Sequence, residues 1–227
     1  MSYYTTETIS LFNESLKAYE KDIEAGKNLH VTISNGNSKM GSIPSVSLLP
    51  FLTCPSCCKS TCGEKCYAAK LAKLRPSVLS SYAKNTAIAI HRPEQFFMEI
   101  ELVMSMSKYF RFHVSGDIMN RAYFARMIQA CIHNPGCQVL VFTKQYEIVN
   151  KWIEDHGKLP KNLHILFSGW ANLSPINPYN LPETNVYGKE GPQESWLLCG
   201  GNCETCACRG LGCWQAKNGD TIAFKLH

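Results

Sequence analysis

No stretch of this 227-residue chain reaches the roughly 18 apolar residues of a membrane-spanning helix. The start, Met1-Ser2-Tyr3-Tyr4-Thr5-Thr6-Glu7, lacks the basic segment and apolar run of a secretion leader. Phosphate-binding glycine loops and dinucleotide fingerprints are missing, as are internal repeats and low-complexity tracts. Charge is scarce, at 18% of residues, and 23 Lys and Arg against 18 Asp and Glu leave a net +5. That mild excess can assist an acidic partner but is far from a nucleic-acid-binding tail. The expectation is a soluble, cytoplasmic protein with no membrane partner; its oligomeric state is left open.

What the chain has is cysteine. Twelve in 227 residues are about 5%, below the roughly 8–10% of a disulfide-stapled miniature. With 45% hydrophobic residues the chain can bury a core without covalent staples. Five cysteines fall between Cys54 and Cys66 and five between Cys199 and Cys213, while Cys131 and Cys137 stand apart. Dense local thiols without a leader favour metal ligation over disulfides, which persist in oxidising compartments.

Apolar residues at Leu11, Phe12, Leu16, Tyr19 and Ile23 predict a helix over 7–25, closed by Gly26. Leu29–Ile33 and Ser45–Leu49 read as strands around a turn at 35–39. Helices are expected over 67–74, 77–90 and 94–108, the first two parted by Arg75-Pro76. Then strands at 110–114, 138–142 and 163–167 alternate with helices at 118–133 and 145–156. Continuous apolar strands in βα units describe an α/β fold with a parallel sheet covered on both faces. A closed eight-fold barrel needs about 250 residues, so a partial or open (β/α) barrel with a cysteine-rich C-terminal segment is expected. The chain reads as one domain: an N-terminal helix and strand/turn region over 1–44, the partial barrel over 45–190, and a cysteine-rich tail over 191–227. Asn185-Val186-Tyr187 is a further short strand candidate.

The first thiol segment sits between a strand and a helix, where the loops of parallel α/β folds carry function and a helix N-terminus favours thiolates or an anionic cofactor. Soft thiolates select zinc or iron–sulfur clusters. Three thiols from one loop leave one iron of a cluster open to a small molecule, whereas four close the site. The second segment, with CxxxC then CxxC and glycines that let backbone wrap closely, suits a closed site of either metal, and it contains no histidine. The two segments could also share one metal.

Polar residues recur where successive strands end: His113, Ser115 and Asp117, then Thr143 and Lys144, then Ser168, Gly169 and Trp170. Ser115 or Asp117 is either a ligand residue or simply the cap of the following helix. Lys144 could meet a carboxylate or phosphate, or be an ordinary surface lysine that opens a helix. His133, His156 and His164 have no partner pattern and read as surface or helix-end residues. Methionines within helical apolar stretches read as core.

Cys54-Pro55, Cys62-x3-Cys66-Tyr67-Ala68, Arg75-Pro76, Arg111-Phe112-His113-Val114-Ser115-Gly116-Asp117, Phe142-Thr143-Lys144 and a cysteine-rich end closing on Cys213-Trp214 together resemble the phage gene product 88 family. The resemblance implies a phage or mobile-element origin, hence the host cytoplasm, and a cysteine-bound cofactor. Cys57 and Cys58 stand as extras to that pattern, and the spacing before Cys213 departs from it. More distantly, the chain is similar to radical S-adenosylmethionine enzymes, in which a three-cysteine loop after the first barrel strand holds a [4Fe–4S] cluster. A glycine-rich turn after their second strand helps bind adenosylmethionine, and Ser115-Gly116-Asp117 is similar to it in position. Their CxxxCxxC spacing is absent from the first segment, where Cys54, Cys62 and Cys66 give C-x7-C-x3-C, and present at Cys199, Cys203 and Cys206.

The leading expectation is an iron–sulfur protein with one or two [4Fe–4S] clusters. Its metal ligands would be Cys54, Cys62, Cys66, Cys199, Cys203, Cys206 and Cys213; His113, Ser115, Asp117 and Lys144 would orient a small-molecule cofactor, S-adenosylmethionine in the radical-enzyme version. The rival is a non-catalytic module, stabilised by zinc or iron–sulfur, that grips nucleic acid or a host protein, supported by Lys59, Lys65, Lys70, Lys73 and Arg75 beside the first segment.

Overall fold

The apolar runs in the middle of the chain are strands buried on both faces. A computed structural model describes residues 2–226. In it β1 (Ser45–Val46), β2 (Tyr109–Phe112), β3 (Gln138–Thr143), β4 (Leu163–Ser168), β5 (Glu183–Tyr187), β6 (Leu197–Leu198) and β7 (Thr221–Lys225) form one sheet. Their order is β1-β2-β3-β4-β5-β7-β6 and every pairing is parallel. The sheet is open, with β1 and β6 at its edges.

Parallel neighbours need crossovers. Helices α2 (Tyr67–Leu74), α3 (Pro76–His91) and α4 (Pro93–Ser105) lie between β1 and β2, α5 (Arg121–His133) between β2 and β3, and α6 (Tyr146–His156) between β3 and β4. Helix α1 (Thr6–Glu24) precedes the sheet, and α7 (Cys203–Arg209) lies between β6 and β7. Val139, Val141, Ile165 and Phe167 point toward α3–α6, in a core with Phe96, Ile100, Phe124 and Met127. The alternate residues Leu140 and Leu166 point the other way, against Ile222, Ala207 and Trp214. Helices therefore cover one face and the cysteine-rich tail covers the other. A third cluster, with Phe12, Leu49, Ala69, Ala72 and Ala83, ties α1 to α2 and α3.

Most expected elements are present with shifted ends. Pro76 occupies the first turn of α3 after an extended Arg75, and Gly157 ends α6 in the left-handed region at φ +79°. Helix α5 begins later than expected, capped by Asn120, whose side chain accepts from Tyr123 N at 2.8 Å. One strand is corrected: Leu29–Ile33 has no partner strand among the described residues. Its backbone is held by side chains instead, Val31 N by Glu99 at 2.6 Å and Thr32 N by Asn85 at 2.7 Å. The strand expected over 45–49 shortens to Ser45–Val46, and the tail contributes α7, β6 and β7, which the periodicity does not announce.

Candidate thiol sites

The first cysteine loop leaves the sheet edge under tight backbone control. Leu48 N donates to Ser115 O, and Ser115 Oγ donates to Leu48 O, both at 2.9 Å, so the β1–β2 pairing continues past the strand ends. Thr53 Oγ1 donates to Leu49 O at 2.7 Å and accepts from Asp117 N at 3.3 Å. Gly116, at φ +79°, is where the two chains press together: a Cβ there would lie 2.6 Å from Thr53 Oγ1 and 2.8 Å from Leu48 Cβ. The glycine admits the thiol loop itself.

Two short 3₁₀ turns, Ser56–Ser60 and Cys62–Lys65, then carry the thiols to α2, whose first turn is capped by the Cys66 sulfur accepting from Ala69 N at 3.5 Å. The buried Cys58 thiol bonds with both Cys54 and Cys62: the Cys54 contact pushes the Cys58 thiol up while the Cys62 contact opposes it, and the Cys58 contact in turn pushes Cys62 up. Burial raises Cys57 and Cys66. Lys144 is the cation that opposes the rise at Cys57, Cys58, Cys62 and Cys66 alike.

Polar groups from three strand ends form one chain at this rim. The Asp117 carboxylate accepts from Thr143 Oγ1 at 2.6 Å, Ile118 N at 2.7 Å and Lys144 N at 2.9 Å. Lys144 Nζ donates to Ser168 Oγ at 2.7 Å, and Tyr146 donates to Ser168 O at 2.5 Å. Burial still lifts Asp117 to about 6 against those donors. His113, at φ +57°, is buried; its Nε2 shares a hydrogen bond with Tyr123 Oη at 3.0 Å and its Nδ1 has no partner. Burial depresses it to about 3, so the ring is neutral at pH 7.

The second thiol group lies on the other face of the sheet. Helix α7 is capped by Asn202, which accepts from Thr205 N at 2.9 Å, and is tied to the 38–42 turn by Cys203 N donating to Lys39 O at 2.8 Å and by Ser42 bonding Glu204. Tyr109 Oη reaches Ala207 O at 3.0 Å, and Trp214 Nε1 reaches Cys203 O at 3.1 Å. Cys199, Cys203 and Cys206 all bear on Cys213, whose thiol is pushed up to about 12, chiefly by burial. Gly200 and Gly212 pass the Cys206 sulfur closely, at 3.1 and 3.5 Å from where a Cβ would stand. Cys208 is exposed.

All twelve cysteines are free thiols. Cys131 and Cys137 are buried in the helix-facing core, apart from both groups. The structure places Cys54, Cys62 and Cys66 in the first loop, and Cys199, Cys203, Cys206 and Cys213 on α7 and the turns that flank it. Among the described residues, no three His, Cys, Asp or Glu side chains converge tightly enough to grip an ion as they stand. Tyr67 lies between the groups: Cys66, Cys203, Cys54 and Arg111 all bear on its hydroxyl, which donates to Val114 O. Ser115 and Asp117 contact the loop and the rim, His113 is enclosed with Tyr123, and Lys144 is the cation of the four that faces the thiols.

Cys58 is the residue that sequence reading set aside. It completes an even spacing, Cys54, Cys58, Cys62 and Cys66, four residues apart each time. That interval was the available signal. Lys59, Lys65, Lys70, Lys73 and Arg75 are exposed, and among the described residues no helix is long and apolar enough to cross a membrane.

A model of the family described as gene product 88 matches residues 10–174. The matched stretch includes the first thiol loop and the rim residues, and it ends before Cys199. No curated protein and no solved structure matches the chain.

Proposed function

The chain belongs to the gene product 88 family, and we propose that it is an iron–sulfur protein whose working centre is the first thiol loop at the rim of the parallel sheet. The observation that carries this reading is the gathering of Cys54, Cys58, Cys62 and Cys66 in one loop that faces the buried amine of Lys144. The donors are all sulfur, which selects a soft metal. The protons of Cys58, Cys62 and Cys66 are held by burial and mutual contact, so a bound metal must displace them and Lys144 lowers the cost of the resulting charge. Binding would draw the two 3₁₀ turns inward. On this reading the sheet, with helices wound successively on one face, is an incomplete (β/α) barrel.

In the finer version of this proposal Cys54, Cys62 and Cys66 hold a [4Fe–4S] cluster with one iron free, and S-adenosylmethionine is the co-substrate. The reduced cluster would supply the electron that cleaves the sulfonium. The chain's own part is positioning: Ser115 and Asp117 lock the loop to the neighbouring strands, Lys144 and Ser168 present a cation and a hydroxyl to an anionic group, and His113 keeps the β2 end dry and neutral.

Cys58 favours a second reading, because it stands between Cys54 and Cys62 and can supply the fourth thiolate. The centre is then closed, and the protein a metal-stabilised module for a nucleic acid or host protein, with zinc as an alternative metal. Electron paramagnetic resonance of the reduced, oxygen-free protein separates the two. An open cluster changes its signal when S-adenosylmethionine is added and releases 5′-deoxyadenosine. An unchanged signal without cleavage overturns the radical-enzyme version and leaves the closed centre.

A further inference from the structure

The inner face of β2 carries a cation among sulfur atoms. Arg111 Nη1 is 3.1 Å from Met40 Sδ and 3.7 Å from Cys203 Sγ, and the guanidinium lies 4.5 Å over the Phe142 ring. Its Nε is buried without a hydrogen-bond partner. None of the ion pairs among the described residues includes Arg111. A charge on a largely apolar sheet face, beside Leu140, Leu166 and Trp214, is costly without a counter-charge. The ring face offsets only part of that cost.

We propose that Arg111 is the counter-ion of a closed metal site formed by Cys199, Cys203, Cys206 and Cys213. The inference rests on the metal–thiolate reading above and gives the second group its own centre, separate from the rim. A divalent ion held by four thiolates carries a net charge of about −2, and the same balance holds for an oxidised [4Fe–4S] cluster with four cysteines. Arg111 supplies the opposite charge from the sheet, with its Nη1 3.7 Å from Cys203 Sγ. The geometry is complementary: α7 and the Cys213 turn are anchored to the sheet by Tyr109, Trp214 and the 38–42 turn, so the Cys203 sulfur is held beside the guanidinium. Cys208 takes no ligand place. Arg111 is a positioning and charge-balancing residue and takes no ligand place.

Cobalt(II) is the probe, because its tetrahedral thiolate complexes absorb strongly in the visible. The metal-free chain is titrated with cobalt against a chelator, and Cys203→Ser identifies the absorption that belongs to the second group. Outer-shell partners of metal ligands typically contribute about 10–100-fold in affinity. Arg111→Met is expected to weaken the Cys203-dependent binding by that order, and Arg111→Lys, which keeps the charge, to retain it within a few-fold. Equal binding by Arg111→Met, or equal weakening by Arg111→Lys, overturns the counter-ion role and leaves the metal site standing. Absence of any Cys203-dependent absorption in the unmodified chain overturns the second site and this inference with it. Should Arg111→Met not fold, Arg111→Lys still decides by whether charge alone preserves affinity.

Discussion

Lys144 reaches from the end of β3 to the end of β4, where its Nζ donates to Ser168 Oγ at 2.7 Å. This bond fixes a largely buried amine beside the first thiol loop, while the Lys144 backbone is held by Asp117 at 2.9 Å. Three strand ends thus act as one bracket for a charge that the thiols need.

Removing that charge should slow thiol chemistry at one site only. Lys144→Met takes away the cation that favours the Cys57, Cys58, Cys62 and Cys66 thiolates. Peptide-resolved alkylation of the metal-free protein at pH 8 should fall several-fold in the first segment, about tenfold for each unit of thiol pKa, and stay unchanged at Cys199–Cys213. Equal labelling of the first segment in the variant and the unmodified chain would contradict the assignment.

His113 should make the protein acid-sensitive. Its folded pKa, about 3, lies below the ordinary value near 6.5, so its contribution is fully present above the unfolded pKa and is lost as pH falls from there toward 3. Between pH 7 and 5 the loss is about 2 kcal/mol. Asp117 works the other way: with its folded pKa raised to about 6, its contribution is present below the unfolded value and is lost as pH rises through 6. It returns about 1 kcal/mol over the same fall in pH. Urea unfolding should show a small net loss at pH 5, a steeper loss in Asp117→Asn, and a gain in His113→Asn, asparagine being tolerant of the positive φ. A His113→Asn chain as acid-sensitive as the unmodified one would refute the assignment.

Gly116→Ala should release the thiol loop. The added methyl meets Thr53 Oγ1 and Leu48 Cβ below 3.0 Å, at a backbone φ of +79°, and strain of this kind costs about 1–3 kcal/mol. The expected result is a lower melting temperature together with faster thiol titration in the first segment. A lower melting temperature with unchanged thiol accessibility would place the strain elsewhere.

The alternating units from Tyr109 to Ser168 were legible because the runs 139–142 and 165–167 are continuously apolar and the helices are stopped by Asn134-Pro135-Gly136 and by Gly157. Leu29–Ile33 misled because its hydrogen-bond partners, Glu99 and Asn85, are side chains more than fifty positions away. The docking of α7 depends on Tyr109 meeting Ala207, ninety-eight positions apart, and no local pattern announces such a contact. At the rim, the residue types at 115, 117 and 144 were visible; that Ser115 and Asp117 grip the loop and the neighbouring strand was not, since it depends on strand register.

Cysteine substitutions should sort by position. Cys62→Ser is expected to lower iron at the first site, whereas Cys131→Ala, in the helix-facing core, should leave metal content unchanged and cost about 1 kcal/mol of packing. Metal analysis and denaturant titration of the two variants check this; an iron loss in Cys131→Ala would mean that a third thiol region takes part.

The central claim is that both thiol groups hold metal. Its most direct test is the iron, acid-labile sulfide and zinc content per chain of protein purified without oxygen. The account predicts iron and sulfide near four each for a cluster in the first loop, with either about twice that or one zinc for the second group. A chain that folds and carries neither iron, sulfide nor zinc contradicts it.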